Sequence, residues 1–146
     1  MIDFASNGHL TLRAWHRDLV GGRDVILKYA SALAHLQLFN GYMHEKHIDV
    51  YAKSPGEYEN VRYHIVNSFD HIDFVRIGNV LCTTASQTIN DMLADYHQVD
   101  TMALVEGLSG YYFAHGESFS GLDIYPENVA RFNSIKDWAT EYYDEE

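Results

Sequence analysis

Nine histidines and 21 Asp/Glu in a chain of 146 residues supply the donor types for metal binding and acid–base chemistry, so their spacing decides what they can do. His44-Glu45-Lys46-His47 sets two imidazoles three residues apart. A zinc-protease helix needs His-Glu-x-x-His, four apart, so that both rings share one face. The segment follows a glycine and precedes an alternating pattern, which makes it a loop or turn. Asp70-His71-Ile72-Asp73 could present an oxygen/nitrogen pair to a divalent ion, and a solvated loop between strands accounts for it equally well. His115-Gly116-Glu117 reads as the end of a helix, where a histidine complements the negative end of the dipole. None of the three has a partner at diagnostic spacing, so no metal ligand and no cofactor is expected. A small metal-dependent enzyme built on His44, His47, His71 and Asp73 requires those loops to converge, which spacing does not establish.

Asp49-Val50-Tyr51-Ala52-Lys53 invites comparison with metal-dependent nucleases, which place two acidic ligands and a lysine on adjacent strands. Tyr51 stands where the second carboxylate is needed, so Asp49 and Lys53 read as ordinary edge-strand residues. Gly107-Leu108-Ser109-Gly110 lacks the flanking glycine of a nucleophile elbow and lies inside a helical pattern. Phosphate loops and dinucleotide fingerprints are absent. Cys82, in the apolar run Val80-Leu81-Cys82, reads as a buried and inert thiol. These residues predict no catalytic site, and the expectation is a protein that is not an enzyme.

The elements that would position these residues follow from periodicity. Leu12 to Leu19 has a helical pattern, broken by Gly21-Gly22. Asp24 is placed to cap a helix from Val25 to Leu36 that is apolar on nearly every side, and Asn40-Gly41 supplies a stop. Ile48, Val50 and Ala52 then alternate with Asp49, Tyr51 and Lys53, and Val61, Tyr63 and Ile65 resume the alternation after Ser54-Pro55-Gly56. Phe74–Ile77 and Val80–Thr83 flank Gly78-Asn79, a tight hairpin signal. Short links predict antiparallel pairing.

From Thr84 the period returns to that of a helix. Thr84 or Ser86 caps a helix with Ile89, Met92, Leu93 and Tyr96 on one face. A second, at about 101–115, aligns Met102, Val105, Leu108 and Tyr112, and a third opens at Pro126 with Val129, Phe132, Ile135, Ala139 and Tyr142. The expected fold is α+β: an N-terminal helix, an antiparallel sheet of about four short strands and three C-terminal helices.

Composition bounds the class. With 47% apolar and 14% aromatic residues the chain has core material for one domain over residues 1–146. A lone cysteine, no signal-peptide pattern at Met1–Gly8 and no apolar run approaching the roughly 20 residues of a membrane span point to a cytoplasmic protein. Charge is unevenly placed. Residues 1–62 balance seven Lys/Arg against seven Asp/Glu, while residues 63–146 hold only Arg76, Arg131 and Lys136 against fourteen Asp/Glu, so the net −11 belongs to the second half. Such a surface repels nucleic acid and anionic membranes and attracts basic protein surfaces, though acidity also serves solubility alone. Aromatics interleaved with carboxylates have the composition of interface hot spots. That makes Tyr111, Tyr112, Trp138, Glu141, Tyr142, Tyr143, Asp144, Glu145 and Glu146 the candidate interaction surface. A C-terminal helix packed on its own sheet with a frayed acidic end explains the same residues.

Three segments together resemble the antitoxin half of an abortive-infection, AbiE-type toxin–antitoxin pair. They are Ser31–Leu36, similar to its Ser-Ala-Leu-rich helix, Val50–Pro55, similar to the strand and turn after it, and Val80–Leu93, similar to its strand-into-helix segment. The order and spacing fit over about residues 28–115. The resemblance implies a short N-terminal segment (1–22), an antitoxin-like core (23–146), and neutralisation of a nucleotidyltransferase-type toxin by protein contact or antagonism. The family commonly opens with a basic winged-helix domain. Here Arg13, Arg17 and Arg23 are the only basic side chains before the first long helix, so direct nucleic-acid binding is not expected. An acidic phage or mobile-element inhibitor that mimics nucleic acid to block a host defence protein fits the charge split as an alternative. Either way, the expected partner is a protein with a basic surface, cognate toxin or host defence protein, and not a membrane.

Overall fold

The computed structural model describes residues 19–39 and 47–141. In chain order they form β1 (Val25–Leu27), α1 (Tyr29–His35), β2 (Ile48–Ala52), β3 (Val61–Ile65), β4 (Phe74–Ile77), β5 (Val80–Thr83), α2 (Ala85–Ala94), α3 (Thr101–Ala114) and α4 (Val129–Glu141). Single 3₁₀ turns at Tyr96–Gln98 and Pro126–Asn128 precede α3 and α4. The class is α+β, with three helices after the sheet. Thr84 caps α2 by accepting from the Gln87 N–H, and Asp100 caps α3 by accepting from Met102 and Ala103 N–H.

The sheet departs from the expected one in its strand count and pairing. Among the described residues it has five strands in the order β3-β2-β1-β5-β4, so β2, read from sequence as an edge, is internal. β1–β2 and β4–β5 are antiparallel, whereas β1–β5 and β2–β3 are parallel. A short link forces an antiparallel turn only when it is too short to travel back along the strand. Residues 53–60 can span up to roughly 26 Å when extended, and the five-residue β2 runs only about 16 Å, so a crossover fits without a helix.

The segment expected to begin the first helix is instead β1. Asp24 does not cap it; its carboxylate pairs with Lys53 Nζ at 3.3 Å. β-Branched Val25-Ile26 suit a strand, and Gly22 N–H donates to Asn79 O (2.7 Å), which brings the chain alongside β5. The expected helix from Leu12 falls outside the described residues except at its end, where Leu19 and Val20 are buried against the sheet. Asn40-Gly41 also lies outside them. α1 stops earlier by a Schellman arrangement: Leu38 N–H donates to Leu33 O (2.9 Å) and Gln37 N–H to Ala34 O (3.1 Å), with Gln37 at φ +65°.

All seven residues of α1 are buried, because the helix is wedged between two apolar clusters. Leu33 belongs to the helical cluster with Ile89, Met92, Leu104, Leu108, Phe132 and Ile135. Ala32 belongs to the sheet cluster with Leu27, Ile48, Val50, Val80 and Cys82. α3 crosses α1 closely at two glycines. A Cβ on Gly107 would stand 2.6 Å from Leu33 Cδ1, and one on Gly110 2.7 Å from the Leu38 carbonyl oxygen. This contact turns α3 so that Ala103, Leu104, Val105, Gly107, Leu108 and Tyr111 are buried; of the expected stripe Val105 and Leu108 are in the core, while Met102 is exposed and Tyr112 half-buried. Among the described residues no helix is long and apolar enough to cross a membrane.

Candidate functional site

The pleat of β2 sends Ile48, Val50 and Ala52 into the sheet cluster and Asp49 and Tyr51 to the opposite face. Parallel register sets Arg62 of β3 beside Asp49 and His64 beside Tyr51. Lys28, between β1 and α1, lies over this polar face. It is 5% exposed, with Nζ 4.1 Å from the ring centroids of both Tyr29 and Tyr51. Tyr29 holds a left-handed backbone, φ +54°, a conformation that a bulky residue keeps only where its surroundings enforce it.

α2 closes the cluster from above with Asp91 and Asp95, one turn apart on one helix face. The Tyr51 hydroxyl donates to Asp91 Oδ2 (2.6 Å) and Gln87 Nε2 to Asp91 Oδ1 (3.0 Å). The Tyr29 hydroxyl donates to Asp95. Buried Asp49 meets His64 Nε2 at 2.8 Å and His47 Nε2 at 3.3 Å, and its own N–H donates to Ser31 Oγ (3.2 Å). Beside these groups a cleft of about 560 Å³ opens between Arg62, His64 and His47 on the sheet side and Met92, Gln98 and Asp100 on the helical side.

Burial dominates the electrostatics. It lowers the Lys28 pKa, against the pull of Asp91, Asp95 and Asp49. It raises that of Asp91, against hydrogen bonds from Tyr51 and Gln87 and the charge of Lys28. Burial also raises both phenols, Tyr29 and Tyr51, reinforced by the carboxylates to which they donate. Their contribution to stability is complete below the unfolded phenol value of about 10. It is lost as pH climbs from there toward the folded values, because the unfolded chain gives up protons first. Lys28 acts in the opposite sense only up to the ordinary lysine value near 10.4. Above about pH 10.5 the ammonium adds nothing further, and the raised phenols, with those of Tyr111 and Tyr125 raised by burial as well, leave a net fall. Urea denaturation across pH 8–12 should show it, and Tyr51→Phe should flatten the slope by one proton per molecule; an unchanged slope would mean that Tyr51 ionises freely.

Chemically, the arrangement is a cross-link: phenol–carboxylate bonds tie α1 and β2 to α2, and Lys28 supplies the counter-charge. Among the described residues no group of three or more His, Cys, Asp or Glu is placed to hold a metal ion. Of the histidines weighed from sequence, His44 lies outside the described residues and His47 joins Asp49. His71 and Asp73 sit in the loop before β4, across the sheet from β3, where the Asp73 N–H donates to Gln87 Oε1 (3.0 Å). Lys53 turns away from Asp49, toward Asp24 and over the Phe69 ring (4.7 Å). His115 ends α3 with its ring stacked on Tyr111 at 3.8 Å, and the Cys82 thiol is buried, donating to the Ala32 carbonyl (3.5 Å).

The candidate interaction residues divide. Tyr111 is buried, its hydroxyl donating to Ser120 O (2.6 Å), and Tyr112 packs on Phe113 and Phe119. Trp138, 45% exposed, and Glu141 face solvent on α4, and Tyr142, Tyr143, Asp144, Glu145 and Glu146 lie outside the described residues. Sequence reasoning missed Lys28, Tyr29, Gln87 and Asp95 as a cluster; its one visible trace was the Asp91-x-x-x-Asp95 pair at the end of the helix that Thr84 caps. Comparison with protein-family models and with curated proteins finds no match for this chain.

Proposed function

We propose that the chain is a non-enzymatic, antitoxin-like module of the cytoplasm that neutralises a nucleotidyltransferase-type toxin by protein contact. The observation that carries this reading is the surface of the helical half. Asp100, Glu117, Asp123, Glu127, Asp137 and Glu141 are exposed there, while Arg131 is half-buried over the Tyr96 ring (4.7 Å). Trp138 stands exposed beside Asp137, an aromatic anchor with a carboxylate rim. A toxin that handles nucleotides or RNA needs a basic active-site surface, and an acidic surface with one apolar anchor complements it. The AbiE-type resemblance of residues 28–115 supports the same reading.

Co-expression with the cognate toxin tests it, with growth rescue as the expected result. Trp138→Ala should weaken toxin binding by about 2 kcal/mol or more, the scale of a hot-spot aromatic. Its melting temperature should stay unchanged, because the side chain is half in solvent. Undiminished binding by that variant would remove α4 from the interface, and no rescue by the wild type would end the antitoxin reading. The nucleic-acid mimic is favoured by the same acidic surface and differs in its target: it should compete with DNA or RNA for a basic host protein, and that binding should collapse at about 0.5 M salt, where exposed charges are screened within a few ångströms.

A further inference from the structure

Among the described residues β4 is an edge strand, bonded to β5 on one flank only. Its register fixes which backbone groups look outward. Thr84 N–H donates to Asp73 O (3.0 Å), and Val75 pairs with Cys82 and Ile77 with Val80 around the two-residue turn. In an antiparallel ladder residues alternate between bonding inward and facing away. Residues 73, 75 and 77 therefore bond toward β5, and Phe74 and Arg76 turn their N–H and C=O groups outward. The strand is blunted only by its length of four residues and by Arg76: it has no proline, and Phe74 and Val75 are 39% and 41% exposed on opposite faces.

We infer that β4 pairs antiparallel with β4 of a second copy about a two-fold axis through Val75, joining the two sheets edge to edge. Only outward-facing residues can exchange bonds, and this register sets Phe74 of each copy opposite Arg76 of the other. The guanidinium then lies against the phenyl ring, twice over by symmetry. The neighbouring registers are poorer: one opposes Arg76 to Arg76, like charge on like, and the other opposes Phe74 to Phe74 and leaves Arg76 without the ring. The charge distribution also favours this edge over the acidic surface around it. A chain of net charge −11 repels its copies over most of its surface. Arg76 is the exposed cation of the acidic half, where Arg131 and Lys136 are half-buried. Strands of four residues bury little area, so the dimer belongs to the weak, transient class below about 1,200 Å².

Sedimentation equilibrium of the full chain up to about 1 mM, a concentration at which a contact of that class is populated, should show a reversible monomer–dimer equilibrium. Val75→Lys sets like charges face to face at the axis and should give a monomer with an unchanged melting temperature. Val75→Cys brings two Cα atoms to about 4.5 Å at a non-hydrogen-bonded pair, within disulfide range. Mild oxidation should therefore link it across copies, while Arg76→Cys, facing Phe74, should not link. Buried Cys82 is out of reach in both. A wild type that stays monomeric throughout, or Arg76→Cys linking as readily as Val75→Cys, overturns the inference. Neither readout depends on the toxin, so it stands or falls separately from the antitoxin reading.

Discussion

Lys28→Met is expected to destabilise the fold by about 3–5 kcal/mol at pH 7, the scale for removing one partner of a buried charge cluster. The residue is 5% exposed, and Asp91, Asp95 and Asp49 all act on it. Methionine matches its linear stem and fills the same channel between the Tyr29 and Tyr51 rings, so packing survives and only the charge is lost. The carboxylates then remain beneath α2 without a cation. As ordinary stability is only about 5–15 kcal/mol, a loss of this size should be plain in urea melts. Its pH dependence identifies the cause. Burial already raises Asp91 and Lys28 opposes that rise, so without Lys28 the aspartate takes a proton more readily. The folded variant then binds more protons than the unfolded chain, and its deficit should shrink as pH falls from 7 toward 5. Asp91→Asn in the Lys28→Met background should likewise recover part of the loss, a coupling of about 0.5–3 kcal/mol between groups sharing one network. A deficit below about 1 kcal/mol at pH 7, or one independent of pH, would show that the cluster does not need its lysine.

The legible parts of this fold were those where one signal covers a whole element. Alternation from Ile48 to Lys53 marked β2 to within one residue, Gly78-Asn79 marked the β4–β5 hairpin, and Thr84 and Pro126 marked where helical structure begins. β1 was hidden because three residues cannot distinguish a period of two from 3.6, and Val25–Leu27 runs straight into an apolar helix. Pairing direction was hidden because a link of 53–60 has the length of a hairpin loop as well as of a tight crossover. The candidate site was hidden for a different reason. Its members come from three segments, around 28, 49–64 and 87–95, and each is locally ordinary: a lysine in an apolar run, a tyrosine in a strand, aspartates on a helix. Only the sheet order, which makes β2 internal and sets its polar face under α2, turns them into one buried network.

The glycines of α3 show the converse, a pattern visible in sequence whose meaning is packing. Leu33 is fully buried, and Leu33→Ala should cost about 2–5 kcal/mol through the cavity it leaves. Gly107→Ala alone should cost about 1–3 kcal/mol, because its Cβ would meet Leu33 Cδ1 at 2.6 Å, Cδ2 at 3.1 Å and Cγ at 3.3 Å. All three atoms vanish in Leu33→Ala. In that background Gly107→Ala grows into the vacated space and gains the roughly 1 kcal/mol by which alanine exceeds glycine in a helix, so its sign should reverse. A double-mutant cycle by urea denaturation measures this, and strict additivity would mean that α1 and α3 do not meet at Gly107. Gly110 supplies the control. Its added Cβ would strike the Leu38 carbonyl oxygen at 2.7 Å, a backbone atom that no side-chain truncation removes. Gly110→Ala should therefore stay destabilising in both backgrounds, as expected if Gly107 gives way to a flexible leucine and Gly110 to the chain leaving α1.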